Sequence, residues 1–152
     1  MRSRREPEVE KVFVDANVLF SAAYLQDSRL GELWSLADVE LVTSAYALEE
    51  ARRNLLIHAP TAAPALDDMS AGITVAAEAP PSLPIPGSIG IASKDVPILA
   101  AAISTGCSYL LTGDMRHFGP PFGQTIEGVL VLTPAQYFAE RKTRRSARRK
   151  HR

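Results

Sequence analysis

The feature that most constrains the fold is an alternation of short apolar or β-branched runs with longer segments of helical periodicity. Strands are predicted at residues 11–15, 40–43, 73–77, 108–112 and 129–132. Helices are predicted between them, at residues 18–26, 29–37, 45–57, 61–69, 95–106 and from 133 onward. This order is typical of an α/β domain, in which right-handed crossovers join parallel strands. The sequence therefore predicts a mainly parallel sheet of about five strands with helices packed against it.

The length predicts one domain. A chain of 152 residues can bury a single core but is short for two domains of ordinary size. With 46% hydrophobic and 22% charged residues it falls outside the disordered class. We expect the domain to span residues 1–140, with a proline- and glycine-rich loop at 79–90 and a basic, disordered tail at 141–152.

The number of cysteines and the length of the apolar runs limit where in the cell the protein is expected. Cys107 is the one cysteine, which excludes an intrachain disulfide and a cysteine-built zinc site. We interpret it as a small core residue and not as a nucleophile. No targeting segment is readable, and no apolar run approaches the roughly 18 residues of a membrane span. A cytoplasmic protein with no membrane partner is expected.

The net charge of zero conceals an uneven distribution. Residues 141–152 contain eight of the seventeen Lys and Arg residues and no acid. The rest of the chain therefore carries nine basic residues against all seventeen acids, a balance of −8. The tail has two interpretations, a solvated end that aids solubility or an electrostatic arm that holds a phosphate backbone.

The informative observation about the acids is where four of them fall in the predicted elements. Asp15 ends the first strand, Asp114 follows the fourth, Asp95 starts a helix as its predicted cap, and Glu50 lies inside the third helix. In an open parallel sheet the carboxyl ends of the strands line the ligand crevice. Each acid taken alone also fits a helix cap or strand end, but together they predict an acidic site.

Such a site needs compensation for its charge. Two carboxylates about 5 Å apart repel by roughly 3 kcal/mol at an effective dielectric near 20, so either their pKa values rise or a cation binds. Oxygen ligands without Cys or paired His favour Mg²⁺ or Mn²⁺. One or two such ions can activate water for phosphodiester hydrolysis.

Three segments resemble the signature segments of the PIN domain family. They are VFVDANVLFSA, TSAYALEEARRNL and KDVPILAAAISTGCSYLLTGDMRHFG, and their order and spacing agree across residues 12–138. The resemblance implies a three-layer α/β/α fold and a divalent-metal-dependent ribonuclease with Mg²⁺ or Mn²⁺ as cofactor. Small PIN proteins are often toxins paired with an antitoxin and often form homodimers. The exposed face of the predicted helix at 29–37 is a candidate dimer contact, with Trp34 in the core.

The resemblance also assigns residues. The catalytic and metal-binding acids would be Asp15, Glu50, Asp95 and Asp114, and Glu50 is chosen over Glu49 because it directly precedes the small residue and arginines that follow the family's acid. Asn17 and Thr112 match polar positions that support the metal or its waters. Both also have local interpretations, Asn17 as a helix cap and Thr112 as a partner for a strand-end backbone group.

Substrate contacts are predicted near the last acid and in the tail, at Lys94, Arg116, His117, Arg144, Arg145, Arg148 and Arg149. Lys94 departs from the family, because many relatives carry a further acid in the stretch 91–94. A lysine beside Asp95 either weakens metal binding or contacts an RNA phosphate.

Two rival functions remain open at this point. A haloacid dehalogenase phosphatase or a receiver domain also places Asp at the end of the first strand, but the phosphatase requires a second Asp where this chain has Asn17. The receiver requires an acidic pair before the strand and a lysine after the last strand, and Glu8 and Glu10 are poor substitutes. The other rival is an inactive PIN-like module that binds RNA or protein.

Overall fold

The computed structural model describes residues 9–25, 28–77, 95–113 and 123–150, with side chains as far as Arg148. The strands are β1 (Glu10–Val14), β2 (Val39–Ser44), β3 (Thr74–Ala76), β4 (Tyr109–Leu111), β5 (Thr125–Ile126) and β6 (Val129–Leu132). The α-helices are α1 (Ala16–Tyr24), α2 (Ala45–His58), α3 (Ala63–Ser70), α4 (Val96–Ser104) and α5 (Pro134–Lys150). Two 3-10 helices span Arg29–Ser35 and Pro60–Ala62. The predicted loop at 79–90 lies outside the described residues.

The strands form one sheet in the order β3-β2-β1-β4-β6-β5. Pairing is parallel except between β5 and β6. Strand β1 is central, and Val12, Phe13 and Val14 are fully buried, as expected for a parallel strand covered on both faces. The α/β class and the mainly parallel sheet predicted from the sequence are thus confirmed.

Strand β5 was not predicted. It has only two residues, too few for an alternating pattern, and it is fixed by the two-residue turn Glu127-Gly128 that joins it to β6. Both turn residues have positive φ, 49° and 85°, the backbone geometry that suits a tight hairpin. The described sheet therefore has six strands, one more than the sequence indicated.

The structure confirms the predicted cap of α2 and corrects the predictions for α1 and for the segment at 29–37. Ser44 caps α2 as predicted, because its Oγ accepts a hydrogen bond of 3.1 Å from the Ala47 N–H. Helix α1 begins two residues earlier than predicted and is capped by Asp15, so the interpretation of Asn17 as the cap is wrong. The segment predicted as a second α-helix is the 3-10 helix Arg29–Ser35, a tighter form common in short segments.

The expectation of a disordered tail from Arg141 is corrected for residues 141–150, which continue helix α5. The physical reason is that the tail is anchored. Arg141 is only 8% exposed and donates from NH2 to both oxygens of Asp38, at 2.9 and 3.1 Å. Arg144 donates from NH1 to Glu10 Oε1 at 3.0 Å. Acids at the amino-terminal ends of β1 and β2 thereby hold this helix against the sheet.

None of the helices in the described ranges combines the length and the apolar character that crossing a bilayer requires.

Candidate active site

Asp15 lies at the carboxyl end of the central strand β1 and is 5% exposed. It is also the N-cap of α1, since its Oδ1 accepts a hydrogen bond of 2.7 Å from the Ala16 N–H. Its second oxygen, Oδ2, accepts a bond of 3.0 Å from the Thr112 hydroxyl. The strand-to-helix turn and the neighbouring strand together hold this carboxylate in one orientation.

The side chains of Asn17 and Thr112 link helix α1 to the end of β4 at this edge. Asn17 Nδ2 donates to Thr112 Oγ1 at 3.2 Å, and its Oδ1 accepts from the Gly113 N–H at 2.8 Å. Thr112 directly follows β4, so this chain of bonds ties the exit of β4 to the first turn of α1. Both polar residues therefore lie beside Asp15, where the resemblance placed them, and Thr112 bonds the carboxylate directly.

Asp95 and Glu50 approach the same carboxylate from two helices. Asp95 is 8% exposed and occupies the N-cap position of α4, but its side chain makes no capping hydrogen bond, so the predicted capping role is wrong. Burial raises the pKa of Asp15 to about 6, and the charges of Asp95 and Glu50 add to the rise. Hydrogen bonds from Ala16 and Thr112 oppose it but do not cancel it.

The adjacent residues Glu49 and Glu50 have different surroundings. Glu49 is exposed and forms an ion pair of 3.4 Å with Arg53, one helical turn further along α2. Glu50 is partly buried and is close enough to Asp15 to affect its pKa. This arrangement favours Glu50 over Glu49 as the acid that belongs to the site.

The chemistry of these side chains fits a hard divalent cation. Three carboxylates, from Asp15, Glu50 and Asp95, converge sufficiently for mutual repulsion to raise a pKa, and a bound cation would relieve that repulsion. Within the described ranges, however, no group of three or more His, Cys, Asp or Glu side chains is close enough to hold an ion as it stands. The predicted fourth acid, Asp114, follows Gly113 and lies outside those ranges.

The seven predicted substrate contacts fall into two groups, those outside the described residues and those on helix α5. Lys94, Arg116 and His117 lie outside the described residues, as does the side chain of Arg149. The other three, on helix α5, are away from Asp15: Arg144 bonds Glu10 at the start of β1, and Arg145 and Arg148 line a small cleft beside Asp38. The structure thus brings three of the predicted acids, Asp15, Glu50 and Asp95, toward one edge of the sheet and places the described arginines of the tail at the other.

A buried charge network at that second edge was missed by sequence reasoning. The Tyr137 hydroxyl donates to Glu10, Arg141 forms ion pairs with both Glu10 and Asp38, and Arg144 also bonds Glu10. The spacing of Tyr137, Arg141 and Arg144 at four and three residues places them on one helix face, which was the available signal. The acidic partners are distant in sequence and gave none.

Comparison with known proteins identifies the family. The model of the PIN domain family matches residues 11–116, more than half of the chain. The chain therefore belongs to the PIN domain family, whose members are generally nucleases. No functionally curated protein matches it in sequence.

Two solved structures share the fold. VapBC2 from Rickettsia felis, solved bound to a DNA fragment from its promoter, gives a TM-score of 0.60 at 13% identity, over 80% of this chain and 96% of the other. PAE2754 from Pyrobaculum aerophilum gives 0.53 at 22% identity, over 72% and 82%. Both likenesses concern the fold and agree with the parallel sheet described above.

Proposed function

We propose that this protein is an endoribonuclease that requires Mg²⁺ or Mn²⁺ and hydrolyses RNA phosphodiester bonds. The observation that carries the proposal is the buried Asp15 carboxylate, whose pKa is raised to about 6 at the functional edge of a PIN domain sheet. A buried carboxylate next to further acids costs stability, so its presence at this edge favours a functional role.

Asp15, Glu50 and Asp95 would hold the ion, together with Asp114 as predicted from the sequence. The bound ion supplies Lewis acidity and a more acidic water. Ala16 N–H and Thr112 fix the two oxygens of Asp15, so its lone pairs have defined directions before substrate arrives. Asn17 holds Thr112 in place, and a carboxylate of the site accepts the proton of the attacking water.

An antitoxin is the protein partner that we propose. The fold likeness to VapBC2 from Rickettsia felis supports it, because VapBC2 is a toxin–antitoxin complex. We further propose a homodimer, as the family resemblance implies. Size-exclusion chromatography with light scattering measures the mass of the purified chain, and a monomer at all concentrations would contradict the dimer.

The nuclease proposal is tested by cleavage of a mixed RNA pool with Mn²⁺, Mg²⁺ or EDTA. Glu50→Gln and Glu49→Gln form a matched pair, because the residues are adjacent on α2 but only Glu50 affects Asp15. We expect metal-dependent cleavage that Glu50→Gln removes and Glu49→Gln retains.

Folded protein that cleaves no RNA with either ion would overturn the proposal in favour of the inactive binding module. Equal cleavage by both glutamine variants would leave a nuclease but remove Glu50 from its site.

A further inference from the structure

A cleft of about 590 Å³ separates the 3-10 helix Arg29–Ser35 from helix α5. Its floor is apolar, formed by Leu30, Leu36 and Phe138, and its rim carries the cations of Arg29, Lys142 and Arg145. The acid on this rim is Glu32, which is paired with Arg29 at 3.8 Å. The cleft therefore combines an apolar surface with positive charge.

The positive charge on this side of α5 is available to a ligand. Arg141 and Arg144 are engaged with Asp38 and Glu10, whereas Lys142, Arg145 and Arg148 are exposed. Across the ranges that the structure describes, no ion pair joins these three exposed cations to an acid. The smaller cleft that Arg145 shares with Arg148 extends the positive strip toward the end of the helix.

The length and setting of this strip suit a polyanion. Residues 142–148 cover about 9 Å of helix, so the three exposed cations form a continuous positive strip. The chain outside residues 141–152 has a balance of −8, so a polyanion meets repulsion elsewhere. Helix α5 is thus the part of the described surface where a phosphate backbone can approach.

An aromatic platform in the cleft favours a single strand of nucleic acid over other polyanions. The guanidinium of Arg29 lies 5.4 Å from the centre of the Phe138 ring, and Phe138 is partly buried. Unpaired bases stack on aromatic rings and on arginine planes, whereas a duplex hides its base faces. An acidic peptide would use the cations but would have no need of a flat apolar floor.

We propose that this cleft and the exposed strip Lys142, Arg145 and Arg148 bind one strand of RNA, with a base on Phe138 and phosphates along the strip. The choice of RNA rests on the proposed function. This surface lies by the amino-terminal ends of β1 and β2, at the opposite edge from Asp15, so it binds RNA at a distance from the cleaved bond. Arg141 and Arg144 position the helix and do not bind RNA.

The test is fluorescence anisotropy with a labelled single-stranded RNA of about 20 nucleotides. It uses the full-length chain with Asp15→Asn, in EDTA, so that binding is measured without cleavage. Arg145→Gln with Arg148→Gln should weaken binding about tenfold or more and reduce the slope of log K against log salt by about 1.4, since each phosphate contact contributes about 0.7.

The matched control is Arg52→Gln with Arg53→Gln, which removes the same charge from helix α2, where both arginines are already paired with acids. It should change the affinity by less than about twofold. Phe138→Leu keeps an apolar side chain but removes the ring, and it should weaken binding about fivefold or more without changing the salt slope. Thermal unfolding checks that every variant is folded.

Binding equal to the parent protein in the α5 variant, or an equal loss in the α2 control, would overturn this proposal. Unchanged binding in folded Phe138→Leu would overturn the base-stacking half of it. The nuclease proposal is judged separately: RNA cleavage with unaffected binding would reject only the cleft, whereas cleft-dependent binding without cleavage would reject only the nuclease.

Discussion

The two edges of the sheet both carry acids at the ends of strands, but the surroundings of these acids differ. At the amino-terminal edge Glu10 and Asp38 meet Arg141 and Arg144, and the hydrogen bond from Arg141 lowers the pKa of Asp38. At the carboxyl edge burial and neighbouring acids raise the pKa of Asp15 to about 6. The acids of the first edge are therefore paired with arginines of the same chain, whereas at the second edge neighbouring acids help to raise a pKa.

The surroundings of an acid therefore distinguish a structural role from a functional one. A carboxylate that is paired with arginine gains stability, whereas one buried beside other carboxylates costs stability until a cation or substrate arrives. Changes at the two edges should therefore affect different quantities: activity at the carboxyl edge and the free energy of unfolding at the amino-terminal edge.

The largest expected effect comes from Asp15→Asn. We expect RNA cleavage to fall by about 10²- to 10³-fold, the range found when one preorganised electrostatic group is removed from an active site. The protein should remain at least as stable as its parent, because a desolvated carboxylate has been replaced by a neutral side chain.

Cleavage assays and chemical denaturation measure the two quantities, with the exposed Asp68→Asn as control. A loss of stability that accompanies the loss of activity would break the proposed separation of the two edges.

The second effect is that the two edges make contributions to stability with opposite pH dependence, which we expect to measure in EDTA. The folded pKa of Asp15, about 6, exceeds the ordinary aspartate value of 3.8, so the folded state binds the proton more tightly. Its contribution to stability is therefore present below pH 4 and is lost as the pH rises to 6, by about 3 kcal/mol in all. Asp38 has a lowered pKa, so its contribution is present above pH 4 and is lost as the pH falls.

Urea denaturation between pH 3 and 8 measures the free energy of unfolding. As the pH passes from about 4 to about 6, this free energy should rise for Asp15→Asn relative to the parent. Asp38→Asn should be less stable than the parent above pH 4, and its free energy of unfolding should approach the parent's only in more acidic solution. Parallel curves for the parent and Asp15→Asn would show that the Asp15 pKa is not raised.

Sequence reasoning succeeded where the signal is local. The apolar run that ends in Asp15 predicted β1, and the serine before α2 predicted the start of that helix, because strand burial and capping depend on adjacent residues. The placement of Asn17 and Thr112 beside Asp15 followed instead from the family resemblance, because their contacts join residues distant in the sequence.

The failures concern contacts between distant residues. Nothing near Arg141 in the sequence indicates Asp38 or Glu10, so a helix anchored by charge resembled a disordered tail. Asp95 stands where a cap is expected, yet its burial beside the Asp15 site depends on how α4 packs. Strand β5 was too short to predict from its two residues.

The third effect is on stability alone. Arg141→Met leaves Asp38 and Glu10 with one cation fewer, and we expect a loss of about 2 kcal/mol, below the 3–5 of a fully buried pair because Asp38 is half exposed. The melting temperature should fall by roughly 4–8 °C.

Cleavage per folded molecule should be unchanged at saturating RNA, because Arg141 is at the opposite edge from Asp15. The adjacent exposed Lys142→Met is the control for stability alone. Calorimetry of both variants checks this prediction. An equal melting temperature for the two would mean that the amino-terminal edge does not stabilise helix α5.

The smallest effect tests how the hydrogen bond from Thr112 sets the pKa of Asp15 at the carboxyl edge. Thr112→Val removes the hydroxyl that donates to Asp15 Oδ2, and we expect about a tenfold loss of cleavage, the lower end of what losing a supporting hydrogen bond costs a metal site. Because that hydrogen bond lowers the pKa of Asp15, its loss should also shift the acidic limb of the pH–rate profile to higher pH.

Thr43→Val is the matched control, since Thr43 is equally buried near the end of β2 but donates to the Val14 carbonyl and not to a carboxylate. Its pH–rate profile should keep the parent's acidic limb, even if the loss of a buried hydrogen bond lowers stability by about 1 kcal/mol. An equal shift in both variants would mean that packing, and not the hydrogen bond to Asp15, sets the profile. A shift in Thr112→Val alone would mean that a single hydrogen-bond donor, directly after β4, sets the Asp15 pKa.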